Sequence, residues 1–129
     1  MSAASGDVPG RGQGAKFPRS MHLLRHEDFE QVYKQGRRHF ATHVTVFYLR
    51  RSNGGPRIGF TVPRALGGAV VRNRMRRRLR EAVRRNDPNT LAAVDVVMNP
   101  KKSLLTADFA ELEIEVSRAF EVIRKSLAR

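Results

Sequence analysis

Cysteine and tryptophan are absent from this sequence of 129 residues, and apolar residues never form a long uninterrupted run. Without cysteine there can be no disulfide framework and no thiolate metal site, and a reducing cytoplasm is the simplest location. A transmembrane helix needs about 18 consecutive apolar residues, and the first twenty residues show no apolar segment of a secretory signal. We therefore expect a cytoplasmic protein with no membrane partner.

Acidic residues are scarce as well. The chain has 12 Asp and Glu against 25 Lys and Arg, which gives a net charge of +13. Residues 106–129 hold four basic and five acidic residues, a net charge of −1, so the first 105 residues carry +14. A field of this sign favours a polyanion. The alternative is a basic protein whose charges are merely solvated. Such a protein gives no reason for the basic residues to cluster in one part of the chain.

Hydrophobic periodicity predicts an α+β fold, a small β-sheet packed with three helices in the order α-β-β-(β)-α-β-α. Residues 1–20, rich in Gly, Ser, Ala and Pro, are expected to form a flexible basic arm, and residues 21–129 a single domain. The predicted helices are His26–Gln35 stopped by Gly36, a segment opened by Gly67 and Gly68 that is helical to about Arg85, and Ala107–Leu127 with Thr106 as N-cap. The predicted strands are Arg37–Arg50, Arg57–Pro63 and Val94–Met98, the last ended by Asn99 and Pro100.

The most informative segment is residues 72–85, RNRMRRRLREAVRR, in which eight of fourteen residues are arginine and only Glu81 is acidic. A buried stripe at helical spacing is predicted from Val71, Met75, Leu79, Ala82 and Val83. The arginines then cover the other sides, where they repel one another and favour a phosphate counter-charge. A merely solvated helix would interleave acids with the bases. Arginine density alone does not distinguish RNA from DNA.

Two weaker patterns leave alternatives open. The loop Ala65-Leu-Gly-Gly-Ala69 could aim backbone N–H groups at a phosphate, or it could be only a turn. His39 and His43 would share one face of a strand, which is the only spacing that hints at a metal site or a nuclease of its own. No acidic third ligand and no pair of carboxylates lies nearby, so we expect no catalytic residue and no metal site in this chain.

The run from Arg57 to Arg85, RIGFTVPRALGGAVVRNRMRRRLREAVRR, resembles the signature of the bacterial ribonuclease P protein. The similarity extends upstream through EDFEQVYKQG and downstream through the last helix, about residues 21–127. Three positions depart from the family pattern: Ala65 replaces a basic residue, Gly68 replaces Asn, and Asn99 replaces an arginine at the end of the last strand. The basic start of the first helix is also reduced to His22 and Arg25.

The resemblance implies a fold like domain 2 of ribosomal protein S5, with a left-handed β-α-β crossover that is an exception to the usual hand. It implies a protein subunit that binds the catalytic RNA of ribonuclease P and the 5′ leader of precursor tRNA, with no obligate protein partner. The RNA and its magnesium ions would perform the hydrolysis, and the protein would hold no cofactor. The residues expected to contact the RNA subunit are Arg64, Arg72, Asn73, Arg74, Arg76, Arg77, Arg78, Arg80 and Arg84.

The leader is expected in a cleft between the first helix and the sheet. Its candidate residues are Phe29, Tyr33, His43, Thr45 and Phe47. Stacking on aromatic rings tolerates any base, which suits leaders of variable sequence. The alternative is that these aromatic residues are simply core. Two rival functions also stay open: a structural protein that uses the arginine helix as a general RNA or DNA contact, and a self-sufficient ribonuclease that uses His39 and His43.

Overall fold

Four strands form one mixed sheet in the order β1-β2-β4-β3, and three helices pack on it. The computed structural model describes residues 25–128, so the predicted arm at residues 1–20 lies outside the described residues. The α+β prediction is confirmed. The elements are α1 (His26–Gln35), β1 (Arg37–Phe40), β2 (Val44–Arg50), β3 (Arg57–Phe60), α2 (Ala69–Arg85), β4 (Val94–Pro100) and α3 (Phe109–Leu127).

β4 lies in the interior of the sheet, antiparallel to β2 and parallel to β3. This position explains the nearly all-apolar sequence of the strand, since both of its faces are covered. β3, α2 and β4 form the β-α-β unit for which the family resemblance implies a left-handed crossover, and the hand of that crossover stays a prediction. β1 and β3 are the two edge strands of the sheet.

The main core lies on the sheet face that carries α2 and α3. Alternate residues of β2 and β4, such as Val46 and Val96, point into it, and both are fully buried. Met75 and Leu79 of α2 and Phe120 of α3 fill the space above them, as their helical spacing predicts. Burial of each such side chain stabilises the fold by about 1.5–3 kcal/mol.

Within residues 25–128, α1 is the one helix that covers the opposite face. Val32 of α1 is fully buried there, as is Val97 of β4, whose neighbours in sequence point into the main core. α1 ends at Gly36, as predicted, but for a different reason. Gly36 is extended, with φ of −79°, and does not adopt the left-handed conformation of a common helix stop. A Cβ at this position would meet the carbonyl oxygens of Val32 and Tyr48 at 2.5 and 2.7 Å, so the close passage from helix to sheet requires glycine.

Four predicted boundaries are wrong. The strand predicted as Arg57–Pro63 ends at Phe60, because only its first four residues lie within β3. The stretch Arg37–Arg50 is not one strand, because the chain reverses at residues 41–43 and β1 and β2 form a hairpin. β4 does not stop before Asn99 and Pro100, which still pair with Thr45 and Val44 of β2. Thr106 is not the N-cap of the last helix. Its hydroxyl and its N–H both donate to the Ser103 carbonyl within a short 3-10 turn, and α3 begins at Phe109 after Asp108.

Candidate nucleic-acid interface

The basic helix α2 has the predicted cross-section. Met75, Leu79, Ala82 and Val83 are fully buried against the sheet and α3, and Val71 is half-buried at the start of the same stripe. The arginines surround this stripe on the remaining sides. Their side chains nevertheless fall into different groups, because some are held by the rest of the protein and others are not.

Arg78 belongs to the fold. Its guanidinium donates to the backbone carbonyls of Leu105, at 2.9 Å, and of Ala107. These carbonyls lie in the connection that leads into α3, so Arg78 ties α2 to that connection. Arg78 therefore has a structural role in this fold. Its predicted contact with the RNA subunit stays a prediction.

Charges at the C-terminal end of α2 are neutralised within the protein. Glu81 accepts a hydrogen bond from Arg84 Nε at 3.0 Å and another from Arg85 Nε at 3.0 Å. The hydrogen bond from Arg84 lowers the pKa of Glu81, with a smaller effect from Arg85, and the same bond to Glu81 raises the pKa of Arg84. Arg85 also lies 3.6 Å from Glu113 of α3 and over the ring of Phe109. Arg84 is therefore the least available of the predicted phosphate contacts on this helix after Arg78.

The N-terminal half of α2 presents free positive charge. Arg74 and Arg77 are exposed, as is Arg64 in the 3-10 turn before the helix. Their guanidinium groups make no hydrogen bond or ion pair within residues 25–128, so phosphate contact costs them no internal partner. The helix dipole adds partial positive charge at the same end.

The other predicted contacts of α2, from Arg72 to Arg80, have weak internal partners. Arg72 donates to the Gly67 carbonyl at 3.2 Å, and Arg76 donates to the side-chain oxygen of Asn73 at 2.9 Å. The Arg80 guanidinium lies 6.0 Å from the ring centroid of Phe60. These predicted sites stay predictions, and they surround the free arginines.

The glycine pair before α2 forms a turn. Only the first of the two positions, Gly67, requires glycine for steric reasons. Gly67 has φ of +150°, and a Cβ there would lie 2.8 Å from a methyl group of Val71. A Cβ on Gly68 would meet nothing within 4 Å. Sterically, this position could therefore hold the Asn that the family has there. The proposed phosphate contact of this turn stays a prediction.

A groove with aromatic walls lies on the other face of the sheet, beside α1. The rings of Tyr33 and Phe47 meet edge to face with centroids 4.9 Å apart. The Tyr33 hydroxyl lies 2.9 Å from Thr61 Oγ1 and 3.1 Å from Asn99 Oδ1. Tyr33 is 39% exposed, so this residue is not core. Phe29 is half-buried one helical turn before Tyr33, and Thr45 lies on the Phe47 face of β2. The structure thus brings four of the five predicted cleft residues to this side of the sheet.

His43, the fifth predicted residue, is not in the groove. It lies in the turn before β2, and its ring contacts Ser103 at 2.7 Å and the carboxylates of Glu111 and Glu115 at 3.4 and 3.6 Å. These partners belong to α3 and to the turn that precedes it, which pack on the opposite face. The prediction for His43 is wrong because the hairpin turn interrupts the alternation on which it was based. For the same reason His39, which lies in β1, does not share a strand with His43.

An ion-pair network fixes α1 over the sheet. Arg57 of β3 donates to both carboxylate oxygens of Asp95, each at 2.8 Å, and also lies 3.3 Å from Asp28 of α1. Asp95 is 5% exposed and is also 3.5 Å from Arg51. The hydrogen bond with Asp95 is the main cause that raises the pKa of Arg57. The network therefore positions the helix that forms one wall of the groove.

Sequence reasoning missed three groove residues, Phe40, Thr61 and Asn99. In an antiparallel pair, residues opposite each other share a face, and Phe40 lies opposite Thr45, which lies opposite Asn99. Thr61 follows β3 in register with Asn99. Counted along one continuous strand, Phe40 would fall on the core face with Val44 and Val46. A turn signal at residues 41–43 would have moved it to the groove, but Ala-Thr-His gives none.

The described part of the chain offers neither a metal site nor a membrane-spanning helix. Within residues 25–128, no three His, Asp or Glu side chains are arranged so that they could hold a metal ion. The helices of this part of the chain are all too short or too polar to cross a membrane.

Comparison with known proteins agrees with the arrangement of these elements. The family model described as Ribonuclease P matches residues 17–124. The chain is 35% identical to the ribonuclease P protein component of Geobacter sp. (strain M21), covering 88% of this chain and 97% of that relative. It is 40% identical to the corresponding protein of Acidothermus cellulolyticus, covering 79% of this chain and 87% of that one.

Solved structures show the same fold. The RNase P protein from Thermotoga maritima superposes with a TM-score of 0.70 at 25% identity, over 79% of this chain and 96% of that one. The Staphylococcus aureus RNase P protein superposes with a TM-score of 0.70 at 19% identity, over 82% of this chain and 99% of that one. With the family model spanning most of the sequence, the chain belongs to the ribonuclease P protein family.

Proposed function

We propose that this chain is the protein subunit of ribonuclease P, that it binds the catalytic RNA through the N-terminal half of α2, and that it holds the 5′ leader of precursor tRNA in the groove beside α1. The observation that carries the proposal is that one short stretch of chain joins the two surfaces. Thr61 closes the groove beneath Tyr33, and three residues later Arg64 begins the free arginine surface. One RNA-binding region can therefore hold the enzyme's RNA and its substrate side by side.

The two surfaces suit different partners. Exposed guanidinium groups on a helix bind phosphates of folded RNA with planar, paired hydrogen bonds. The groove offers rings and neutral polar groups, which suit unstacked bases of a single strand. Precursor tRNA has such a strand in its leader, and the RNA subunit supplies the folded phosphate backbone. A cytoplasmic location stays a prediction from the cysteine-free sequence.

In this mechanism the protein positions the precursor tRNA, and the RNA subunit cleaves it. Magnesium ions bound by the RNA would activate the attacking water and stabilise the leaving oxygen at the scissile phosphate. The groove adds leader contacts that mature tRNA cannot make, so the substrate is held more tightly than the product. The arginine surface sets the groove at a fixed place on the RNA, and it reduces repulsion between two polyanions.

Reconstitution tests the proposal. The purified protein is added to a bacterial ribonuclease P RNA at low magnesium concentration, and removal of the leader from precursor tRNA is measured. We expect the protein to restore cleavage by the RNA and to cleave nothing alone. A general RNA-binding protein would not restore it, and a self-sufficient ribonuclease would cleave without the RNA. Either result would overturn the proposal.

A further inference from the structure

The groove does not end at the Tyr33–Phe47 pair. A row of side chains continues along it across the sheet, from Thr61 through Asn99 and Thr45 to Phe40 at the edge strand β1. The Tyr33 hydroxyl covers only the Thr61 and Asn99 end of this row. Phe40 at the other end is 65% exposed, so the groove is open toward the edge of the sheet.

Phe40 is accompanied by positive charge. The guanidinium carbon of Arg38, on the same face of β1, lies 5.4 Å from the centroid of the Phe40 ring, whereas the preceding residue, Arg37, belongs to the other face of the strand. Arg37 and Arg38 are both exposed. An exposed ring next to guanidinium groups offers one surface for a base and another for its phosphate. This combination selects a nucleotide over an apolar peptide or a lipid.

Asn99 supplies hydrogen-bonding capacity between the two aromatic positions. Its oxygen is engaged by the Tyr33 hydroxyl, while its amide nitrogen makes no hydrogen bond within the described residues. Two donors are therefore available on the groove floor next to Thr45. A neutral amide at this place can form hydrogen bonds with base edges. An arginine at the same place would be less selective for bases, because it also attracts phosphate.

We propose that Phe40 and Arg38 form a second stacking subsite, so that the groove holds two nucleotides of the leader, one at Tyr33 and Phe47 and one on Phe40. The inference rests on the proposed function, because it takes single-stranded leader RNA as the occupant. Phe40 and Asn99 are two strand spacings apart, about 10 Å, which leaves room for separate bases. Arg38 and the net charge of +13 favour an RNA strand there.

The test uses holoenzyme reconstituted with Phe40→Ala and a series of precursor tRNAs with unstructured leaders of increasing length. We expect the parent affinity to rise with leader length. Phe40→Ala should lose about five- to tenfold in affinity for long leaders and nothing for mature tRNA. Phe40→Trp should keep the parent affinity, since it retains a stacking surface. Ile114→Ala, which removes another exposed apolar side chain, on α3, is the matched control and should behave as the parent does.

The possible failures are distinct. If the parent affinity does not rise with leader length, the proposed function itself is wrong. If it rises and Phe40→Ala follows the parent at every length, the second subsite does not exist. A fall in melting temperature of Phe40→Ala well beyond that of Ile114→Ala would also overturn the subsite, since Phe40 would then be covered by another part of the chain.

Discussion

Asp95 is a single carboxylate on which three elements depend. It lies in the central strand, almost fully buried, and receives two hydrogen bonds from Arg57 of β3, which also reaches Asp28 of α1. A buried charge of this kind is tolerated only when it is paired and hydrogen-bonded. The network thus couples the stability of the sheet to the position of the groove wall.

Replacing Asp95 with Asn should lower the free energy of unfolding by about 2 kcal/mol, because Arg57 loses its charged partner and one of two hydrogen bonds. Urea denaturation measures the change. Asp108→Asn is the control, since Asp108 is exposed and its side chain caps nothing, and it should stay within about 0.5 kcal/mol of the parent. Equal effects of the two substitutions would show that the network adds no stability.

Phe47→Ala should weaken the binding of precursor tRNA to the holoenzyme and leave the binding of mature tRNA unchanged. The ring packs edge to face against Tyr33 and borders the groove, and loss of one stacked base costs about 1–3 kcal/mol. Equilibrium binding of both ligands to parent and variant holoenzymes measures the effect. An equal loss for both ligands would mean that Phe47 supports the fold and contacts no leader.

At the level of single residues, sequence reasoning succeeded where local alternation decides the outcome. Thr45 and Phe47 were assigned to the correct face because they lie within one uninterrupted strand. Phe40 and His43 were not, because their positions depend on a turn that has no glycine, proline or asparagine to mark it. Asp95 and Arg57 are 38 residues apart, and only the parallel register of β3 and β4 brings them together.

Helix α2 has two functional halves. Its C-terminal end is held by Glu81, Glu113 and backbone carbonyls, and its N-terminal half carries Arg74 and Arg77 without internal partners. The one acid in the segment therefore lies where the helix meets α3 and leaves the other end uncompensated. Composition predicted a uniformly basic helix. Tertiary packing instead gives it a neutralised C-terminal end and a positively charged N-terminal half.

The pair Arg74→Ala and Arg77→Ala should weaken binding to the RNA subunit while the melting temperature holds or rises, because like-charge repulsion within the helix decreases. The slope of log affinity against log salt should decrease by about one to two when both are changed. Arg78→Ala is the counterpart on the same helix. It should lower the free energy of unfolding by about 1–3 kcal/mol, because two carbonyls lose their donor. A reversed pattern would exchange the roles assigned to these arginines.

Glu81 should make a small, pH-dependent contribution to stability. Its pKa is lowered by Arg84, so its contribution is fully present above its ordinary value of 4.5 and is lost as the pH falls through the lowered pKa. Because the side chain is 38% exposed, we expect Glu81→Gln to cost only about 0.5 kcal/mol at neutral pH. Denaturation at several pH values should show parent and variant converging below pH 4.5. A difference that persists in strong acid would contradict this account.

Among the elements, helices were predicted more accurately than strands. The bounds of α1 agree with the sequence pattern, and α2 ends where predicted, because their apolar stripes, Gly36 after α1 and Asp87-Pro88-Asn89 after α2 are local signals. The start of α3 was missed because the Thr106 hydroxyl donates to the Ser103 carbonyl within a 3-10 turn and does not cap the helix. The split of β1 from β2 was missed because the alternation of residues continues through the turn.

Considered as a whole, the molecule separates stability from binding. Every buried apolar residue of the described part lies between Val32 and Ile123. Removal of residues 1–20 should therefore leave the melting temperature within a few degrees of the parent, as thermal denaturation of a chain that starts at Met21 would show. A large fall would mean that this segment packs on the domain, and residues 21–129 would no longer be sufficient for it.

The central position of β4 has a consequence for synthesis on the ribosome. β2 and β3 are not neighbours in the sheet until β4 is inserted between them, and β4 follows both of them and α2 in the chain. Contacts this distant in sequence form slowly, and chains emerge from the N-terminus first. The arginine helix is thus made before the sheet beneath it can close. Asn99 completes the groove floor at the end of the last strand, so the nascent chain acquires its positive charge well before the proposed leader groove is complete.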